Sequence, residues 1–277
     1  MQHIHISAKH KLLDLKLAEL WRYRDLVWLF TKRSFVVTYK QTILGPLWLV
    51  INPLLTSVVH LVLFSGIAGL STDGVPQLLF YLTGNAIWNF FSTCVTNNAS
   101  TFTSNANLFG KVYFPRLSMP TSVVLGNLIR FGIQMLPALV LLLWYALQGA
   151  VHPHWGAWLL LPLMLMQLGL MGMGIGILIS SLTTKYRDLG VLVSFGMSLW
   201  MYATPVVYPL SSVSGTLRTV LSLNPVTAPV EFFRWMILGV GTLDVTALLI
   251  SCGVTLLVVL LGILIFNKVE RTFMDTV

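Results

Sequence analysis

Residues 245–266 read VTALLISCGVTLLVVLLGILIF, a run without a single Asp, Glu, Lys or Arg. A helix needs about 20 apolar residues to cross the hydrocarbon core of a bilayer. This run meets that length. The rest of the chain agrees with it. Of 277 residues, 56% are hydrophobic and only 9% are charged, against roughly a quarter charged in soluble domains. The solvent for so apolar a surface is lipid. Cys94 and Cys252 sit inside apolar runs and read as small hydrophobes, not as a disulfide framework or metal site.

The sparse charges mark out further spans. No acidic or basic residue falls between Lys40 and Asp73, Asp73 and Lys111, Arg130 and Lys185, Asp188 and Arg218, or Asp244 and Lys268. The third of these tracts is too long for one helix. It breaks at Gln148-Gly149-Ala150-Val151-His152-Pro153-His154, where turn and polar residues cluster. The expected fold is all-α and polytopic, one transmembrane domain over 1–277. Its six spans lie at 46–70, 78–101, 119–147, 158–183, 189–209 and 245–266. Residues 1–45 are cytoplasmic and interfacial, and 267–277 form a cytoplasmic tail.

Lys and Arg set the orientation. Fourteen of the 17 basic residues fall before span one, after spans two and four, or in the tail. Only Arg218 and Arg234 fall on the opposite side, and Arg130 lies within a span. This asymmetry predicts cytoplasmic termini. The net charge of +8 is then a topology signal. Basic residues spread over separate loops do not suit nucleic acid. No apolar segment of the signal-peptide kind precedes span one. Leu13, Leu17, Leu20, Trp21 and Trp28 instead recur at helical spacing among Lys and Arg. That pattern suits an amphipathic interface helix or a helix packed on protein.

Residues 210–244 are the longest non-cytoplasmic segment. Asn224-Pro225 and Ala228-Pro229 lead into the run 230–239, too short to span and too apolar for a free loop. It is expected to form a short helix that dips back into the membrane or lies on it. Glu231 and Arg234, three apart, are placed to pair.

The spans hold no Asp or Glu, which weakens ion-coupled carrier readings. There is no phosphate-binding loop of the Walker type, no Gly-x-Ser-x-Gly and no His-Glu-x-x-His. The chain is not expected to be an enzyme, and active transport would draw its energy from a partner. Gly172-Met173-Gly174-Ile175-Gly176 lies mid-span, where small residues favour close helix packing over a dinucleotide loop. Asn98-Ala99-Ser100 matches a glycosylation sequon by chance, and His3, His5, His152 and His154 read as scattered surface histidines. Arg130 either serves function or snorkels toward the cytoplasmic face. Trp144, Tyr145, Trp155 and Trp158 form an interfacial belt. Trp88, Trp200 and Tyr202 fall nearer mid-depth, as core packing or as rings lining a path. Asn52, Asn85, Asn89, Asn97 and Asn98 add amides that suit a hydroxylated cargo.

Two motifs carry a resemblance. Residues 39–48 (YKQTILGPLW) with Asn52-Pro53-Leu54, and residues 105–116 (NANLFGKVYFPR), resemble the membrane subunits of type-2 ABC exporters of O-antigen, capsule and teichoic acid polymers. Residues 184–189 (TKYRDL) and 266–273 (FNKVERTF) are similar too, so the likeness runs over nearly the whole chain. It implies a homodimer in the bacterial inner membrane, docked to two nucleotide-binding ATPase subunits that hold ATP and Mg, with no cofactor in this chain. The cargo it implies is a polyprenyl-diphosphate-linked glycan. The conduit would involve Trp48, Asn52, Asn85, Trp88, Asn89, Arg130, Trp200 and Tyr202. Coupling to the ATPase would use Lys111, Tyr113, Phe114, Pro115 and Arg116, with Lys185 and Arg187. Glu231, Phe232, Phe233, Arg234 and Trp235 would form an outer gate between spans five and six. A type-2 permease for a drug, lipid or other small cargo, and an energy-independent channel or carrier, stay open as alternatives.

Overall fold

The computed structural model describes residues 17–40, 42–105, 114–183 and 188–273. Every regular element among them is helical. Two helices precede the first apolar span: α1 (Leu17–Arg22) and α2 (Arg24–Tyr39). A tight turn at Gly45–Leu47 leads into α3 (Trp48–His60), which continues as a widened π-helical stretch, Leu61–Ile67. Next come α4 (Gln77–Ala99), α5 (Thr101–Ser104) and the long α6 (Ser118–Leu147). A 3₁₀ turn at Trp155–Leu160 feeds α7 (Leu161–Thr183), followed by α8 (Leu189–Tyr202). Two short helices, α9 (Gly215–Leu223) and α10 (Thr227–Leu238), precede α11 (Val245–Phe273).

Four stretches are long and apolar enough to cross a membrane: Gly45–Ile67, Ser118–Leu147, Trp155–Thr183 and Val245–Phe266. In three of them only 22% of the most apolar window is buried, so their apolar faces are left for lipid or another protein. The other two expected spans depart from the pattern for different reasons. Helix α4 is 23 residues long, about 35 Å at 1.5 Å per residue, but it is too polar to count as an apolar span. It lies at the centre, with α3, α6, α7, α8 and α10 packed against it. Sixteen of its 23 residues are buried, so protein, not lipid, is its solvent. Helix α8 is apolar but short. Its 14 residues cover about 21 Å, less than the roughly 30 Å hydrocarbon core. The span expected over 189–209 therefore ends as helix at Tyr202, and Ala203–Pro209 runs irregularly past Pro205.

Close approach of α7 to α4 depends on glycine. A Cβ on Gly172 would meet Cys94 Cβ at 2.7 Å, and one on Gly176 would meet Asn98 Cβ at 2.4 Å. On the next face, Gly174 and Gly262 bring α7 against α11, with a Gly262 Cβ falling 3.0 Å from the Gly174 carbonyl oxygen. The glycine run in span four is a packing surface used on two sides. Helix α2 docks on α6 through Thr31, whose hydroxyl donates to the carbonyls of Val27 (2.9 Å) and Ser122 (3.2 Å). Its other face leaves Trp28 and Val37 exposed, so one helix meets protein and offers an apolar face outward.

Gly176→Val places branched carbons where no space exists and should destabilise by roughly 1–3 kcal/mol or more. Gly196→Ala, with nothing within 4 Å of its added Cβ, should match wild type. Thermal unfolding of the detergent-purified protein measures both.

Candidate functional site

The segment between α8 and α11 folds back into the protein. Ten of the twelve residues of α10 are buried. At its centre Arg234 Nη1 lies 3.2 Å from Glu231 Oε1, with both side chains almost wholly buried. The pair expected from the spacing therefore forms. The guanidinium does more than neutralise one carboxylate. It donates to the backbone carbonyls of Tyr208 (3.1 Å) and Val206, and it sits 4.1 Å over the Phe80 ring of α4. A planar, forked donor suits this multiple role better than an ammonium would. Gly84 makes room for it, because a Cβ there would lie 2.7 Å from the Val206 carbonyl oxygen. Arg234 thus ties α10, α4 and the irregular chain after α8 into one unit. At its outer edge Ser211 donates to the Asp73 carboxylate (2.7 and 2.9 Å), tying this segment to the turn between α3 and α4.

The C-terminal end of α10 is closed by residues far away in sequence. Its last carbonyls lack partners inside the helix. His154 supplies two donors, its backbone N–H to Met236 O (3.1 Å) and Nδ1 to Trp235 O (2.8 Å). Trp158 Nε1 adds a third, to Met236 O at 3.3 Å. The His154 ring stacks on Trp235 at 4.0 Å. Gly239 ends the helix at φ +74°, and a Cβ there would strike the His152 carbonyl. Before α10, Asn224 accepts from Trp200 Nε1 (3.2 Å) and donates to Ala203 O (3.0 Å) and Thr204 Oγ1 (2.9 Å). Ser251 of α11 donates to Pro225 O (2.6 Å) and accepts from Gln167 of α7 (2.8 Å).

The residues expected along a conduit divide into two groups. Trp48, Asn52 and Tyr202 are exposed on α3 and α8, and Tyr202 lies 6.4 Å from Phe64 across those helices. The others lie deeper. Asn85 is buried and donates to Ser57 of α3 (2.8 Å). Trp88 is 4% exposed and packs on Phe91. Trp200 meets Phe91 edge-on at 5.4 Å, and Asn89 is half-buried. Arg130 Nη1 donates to Asn127 Oδ1 (3.0 Å), one turn back toward the start of α6, where Asn97 also donates (3.4 Å). The side chain therefore points toward the start of α6.

Of the expected coupling residues, Lys111, Tyr113, Lys185 and Arg187 lie outside the described residues. Phe114 and Pro115 are buried and Arg116 is half-exposed. Phe114 packs with Met119, Met173, Ile177 and Phe266 and meets Phe30 of α2 at 5.5 Å. It anchors the end of the loop to four helices at once. Phe232, Phe233 and Trp235 flank the Arg234 pair on α10, with Phe233 fully buried and Phe232 and Trp235 stacked at 5.9 Å. Among the described residues, no three of His, Cys, Asp and Glu gather to hold a metal ion.

Helices with outward apolar faces around a polar central helix, four of them long enough to cross a bilayer, are those of a multi-pass membrane protein. The chain belongs to the ABC-2 type transporter family, whose profile matches residues 25–238. That match runs from α2 through α10. The chain is similar to two Klebsiella pneumoniae proteins described as O-antigen export system permease protein RfbA. One is 28% identical over 251 residues, covering 91% of this chain and 94% of the relative. The second is 28% identical over 252 residues, with the same shares covered. A Myxococcus xanthus protein of the same description is 28% identical over 263 residues, covering 94% and 98%.

Arg234→Met leaves Glu231 buried without its cation and two carbonyls without their donor. It should cost about 3–5 kcal/mol. Adding Glu231→Gln removes the uncompensated charge and should recover part of that loss. A double-mutant cycle on thermal unfolding separates the two contributions.

Proposed function

We propose that this chain is the permease subunit of an ATP-driven exporter that carries a polyprenyl-diphosphate-linked polysaccharide, O-antigen or a similar glycan, across the bacterial inner membrane. The observation that carries this reading is its similarity, over more than nine-tenths of its length, to proteins described as O-antigen export permeases. Membership of an ABC transporter family implies an ATPase partner. The absence of acidic residues from the expected spans fits a chain that does not couple transport to protons or sodium by itself.

The chain crosses the membrane six times in this reading, with α4 and α8 as its second and fifth spans. The geometry of α8 supports a shared path. A helix of about 21 Å followed by irregular backbone is tolerated at membrane depth only against protein or a water-filled cavity. Its outer face carries Val191, Leu192, Phe195, Leu199 and Tyr202, all exposed. A second copy of the chain covers that face, with α3 and α8 of both copies around the conduit. Trp48, Asn52 and Tyr202 face it, and Trp88, Asn85 and Trp200 hold the wall behind them. The segment with Arg234 closes the outer end. Both termini and the loops carrying Lys111 to Arg116 and Lys185 to Arg187 face the cytoplasm, where two ATPase subunits push on them. The firm seat of Phe114 against α2, α6, α7 and α11 suits a lever that transmits motion.

Deleting the chain should leave lipid-linked glycan accumulated in the cell and none at the surface. Surface glycan at the normal level would refute the reading. Arg116→Glu should reach the membrane and keep its ATPase partner on co-purification, yet lower export by at least about tenfold, a change of some 1.4 kcal/mol in coupling. Normal export by that variant would remove the loop from the mechanism.

A further inference from the structure

Helix α4 carries a continuous polar stripe. Asn85, Asn89, Ser92 and Thr96 recur at spacings of four, three and four residues, which places them on one helical face. Ser100 and Thr103 continue the series toward α5. The stripe begins buried under Ser57 of α3 and becomes progressively open: Asn89, Ser92 and Thr96 are half-buried, Ser100 and Thr103 exposed. It ends in a cavity of about 380 Å³ between α4, α5, the end of α7 and the start of α8. That volume lies within the range of small-molecule sites, about 300–1,000 Å³. It fits a short segment of a polymer.

The lining has a definite chemistry. Thr96, Ser100, Thr103, Thr183 and Ser194 face the cavity, with Val193 as an apolar wall. Among the described residues, none that lines the cavity is charged. Each of the five hydroxyls already directs its proton to a backbone carbonyl. Thr96 donates to Ser92 O (3.0 Å), Ser100 to Asn97 O (3.1 Å) and Thr103 to Ser100 O (3.0 Å). Thr183 donates to Ala99 O (3.0 Å) and Ser194 to Gly190 O (3.1 Å). A hydroxyl oxygen has two lone pairs, so the five present acceptors to the cavity. A diphosphate has only acceptors and is not matched by them. A cation would meet no carboxylate among the described lining residues. A neutral sugar, rich in O–H donors and with C–H faces for Val193, is matched.

We propose that this cavity is a sugar-binding site at the cytoplasmic mouth of the conduit, where the first sugar units of the lipid-linked glycan lodge before moving along the α4 stripe. The proposal rests on the exporter reading above and names where its cargo is first held.

The test uses the full transporter in inverted membrane vesicles. Ser100→Cys, in a chain whose exposed Cys252 is replaced by Ser, reports access to the cavity through its rate of labelling by a maleimide. Cys94 is buried and stays silent. Vesicles from cells that make the lipid-linked glycan should label roughly tenfold more slowly than vesicles from cells blocked in its synthesis. Adding Thr96→Val and Ser194→Val removes two acceptors and should abolish most of that protection, the loss expected for two ordinary hydrogen bonds. Thr96→Ser with Ser194→Thr keeps the hydroxyls and should retain it. Equal labelling with and without glycan overturns the proposal, as does full protection in the valine pair. If deleting the chain blocks export while protection is absent, the cavity assignment alone fails. If deletion leaves export intact, the exporter reading fails with it.

Discussion

Backbone polar groups that leave a helix at membrane depth find no water and must be satisfied by protein. This chain breaks helical regularity just past the end of α8, inside the span that the sequence predicts over 189–209, and Arg234 reaches the break. The guanidinium serves the freed carbonyls of Val206 and Tyr208 while Glu231 holds its charge. Burying such a pair is costly unless geometry and extra hydrogen bonds repay the desolvation. Here the bonds from Nη1 and Nη2 offset part of that cost while fixing a bend in the chain, with the Phe80 ring below and Gly84 giving way. The position of the whole segment between α8 and α11 follows from that contact. Asn224, Ser251 and His154 hold its remaining ends.

The same constraint explains α4. A helix bearing four Asn and several hydroxyl residues is a poor guest for lipid. It is stable because neighbours surround it, and they can approach closely because α7 presents glycine where α4 presents Cys94 and Asn98. Polar content and glycine placement are one arrangement. The glycines bring α7 against one side of α4, while the opposite stripe stays polar and leads into the cavity at its end.

Much of the fold was legible in the sequence because hydropathy reports the solvent of a helix. Span three at 119–147 coincides with α6, and the break at 148–154 separates α6 from the turn before α7. The Glu231–Arg234 pair was legible because both residues lie within one helical turn. The early end of α8 was not. Val206 and Val207 kept the run apolar past Pro205, and hydropathy carries no information on whether backbone hydrogen bonds continue. The roles of His154 and Asp73 were also hidden, because their partners lie 81 and 138 residues away. The two histidines around Pro153 read as surface scatter because a helix-capping role depends on which helix end arrives there.

One chain leaves a set of faces that do not make sense in lipid together. The exposed side of α3 is apolar, with Val58, Val59 and Val62 outward. Beside it Asn52 is exposed, and the polar stripe of α4 opens toward the start of α8. Apolar residues at such a boundary suit contact with another protein surface, whereas half-buried amides and hydroxyls suit water or a hydroxylated ligand. The dimer proposed above would meet both demands by bringing α3 and α8 of two copies together around a polar interior. In that arrangement the shortness of α8 would be no defect, because a helix walled on both sides by protein need not match the thickness of the bilayer.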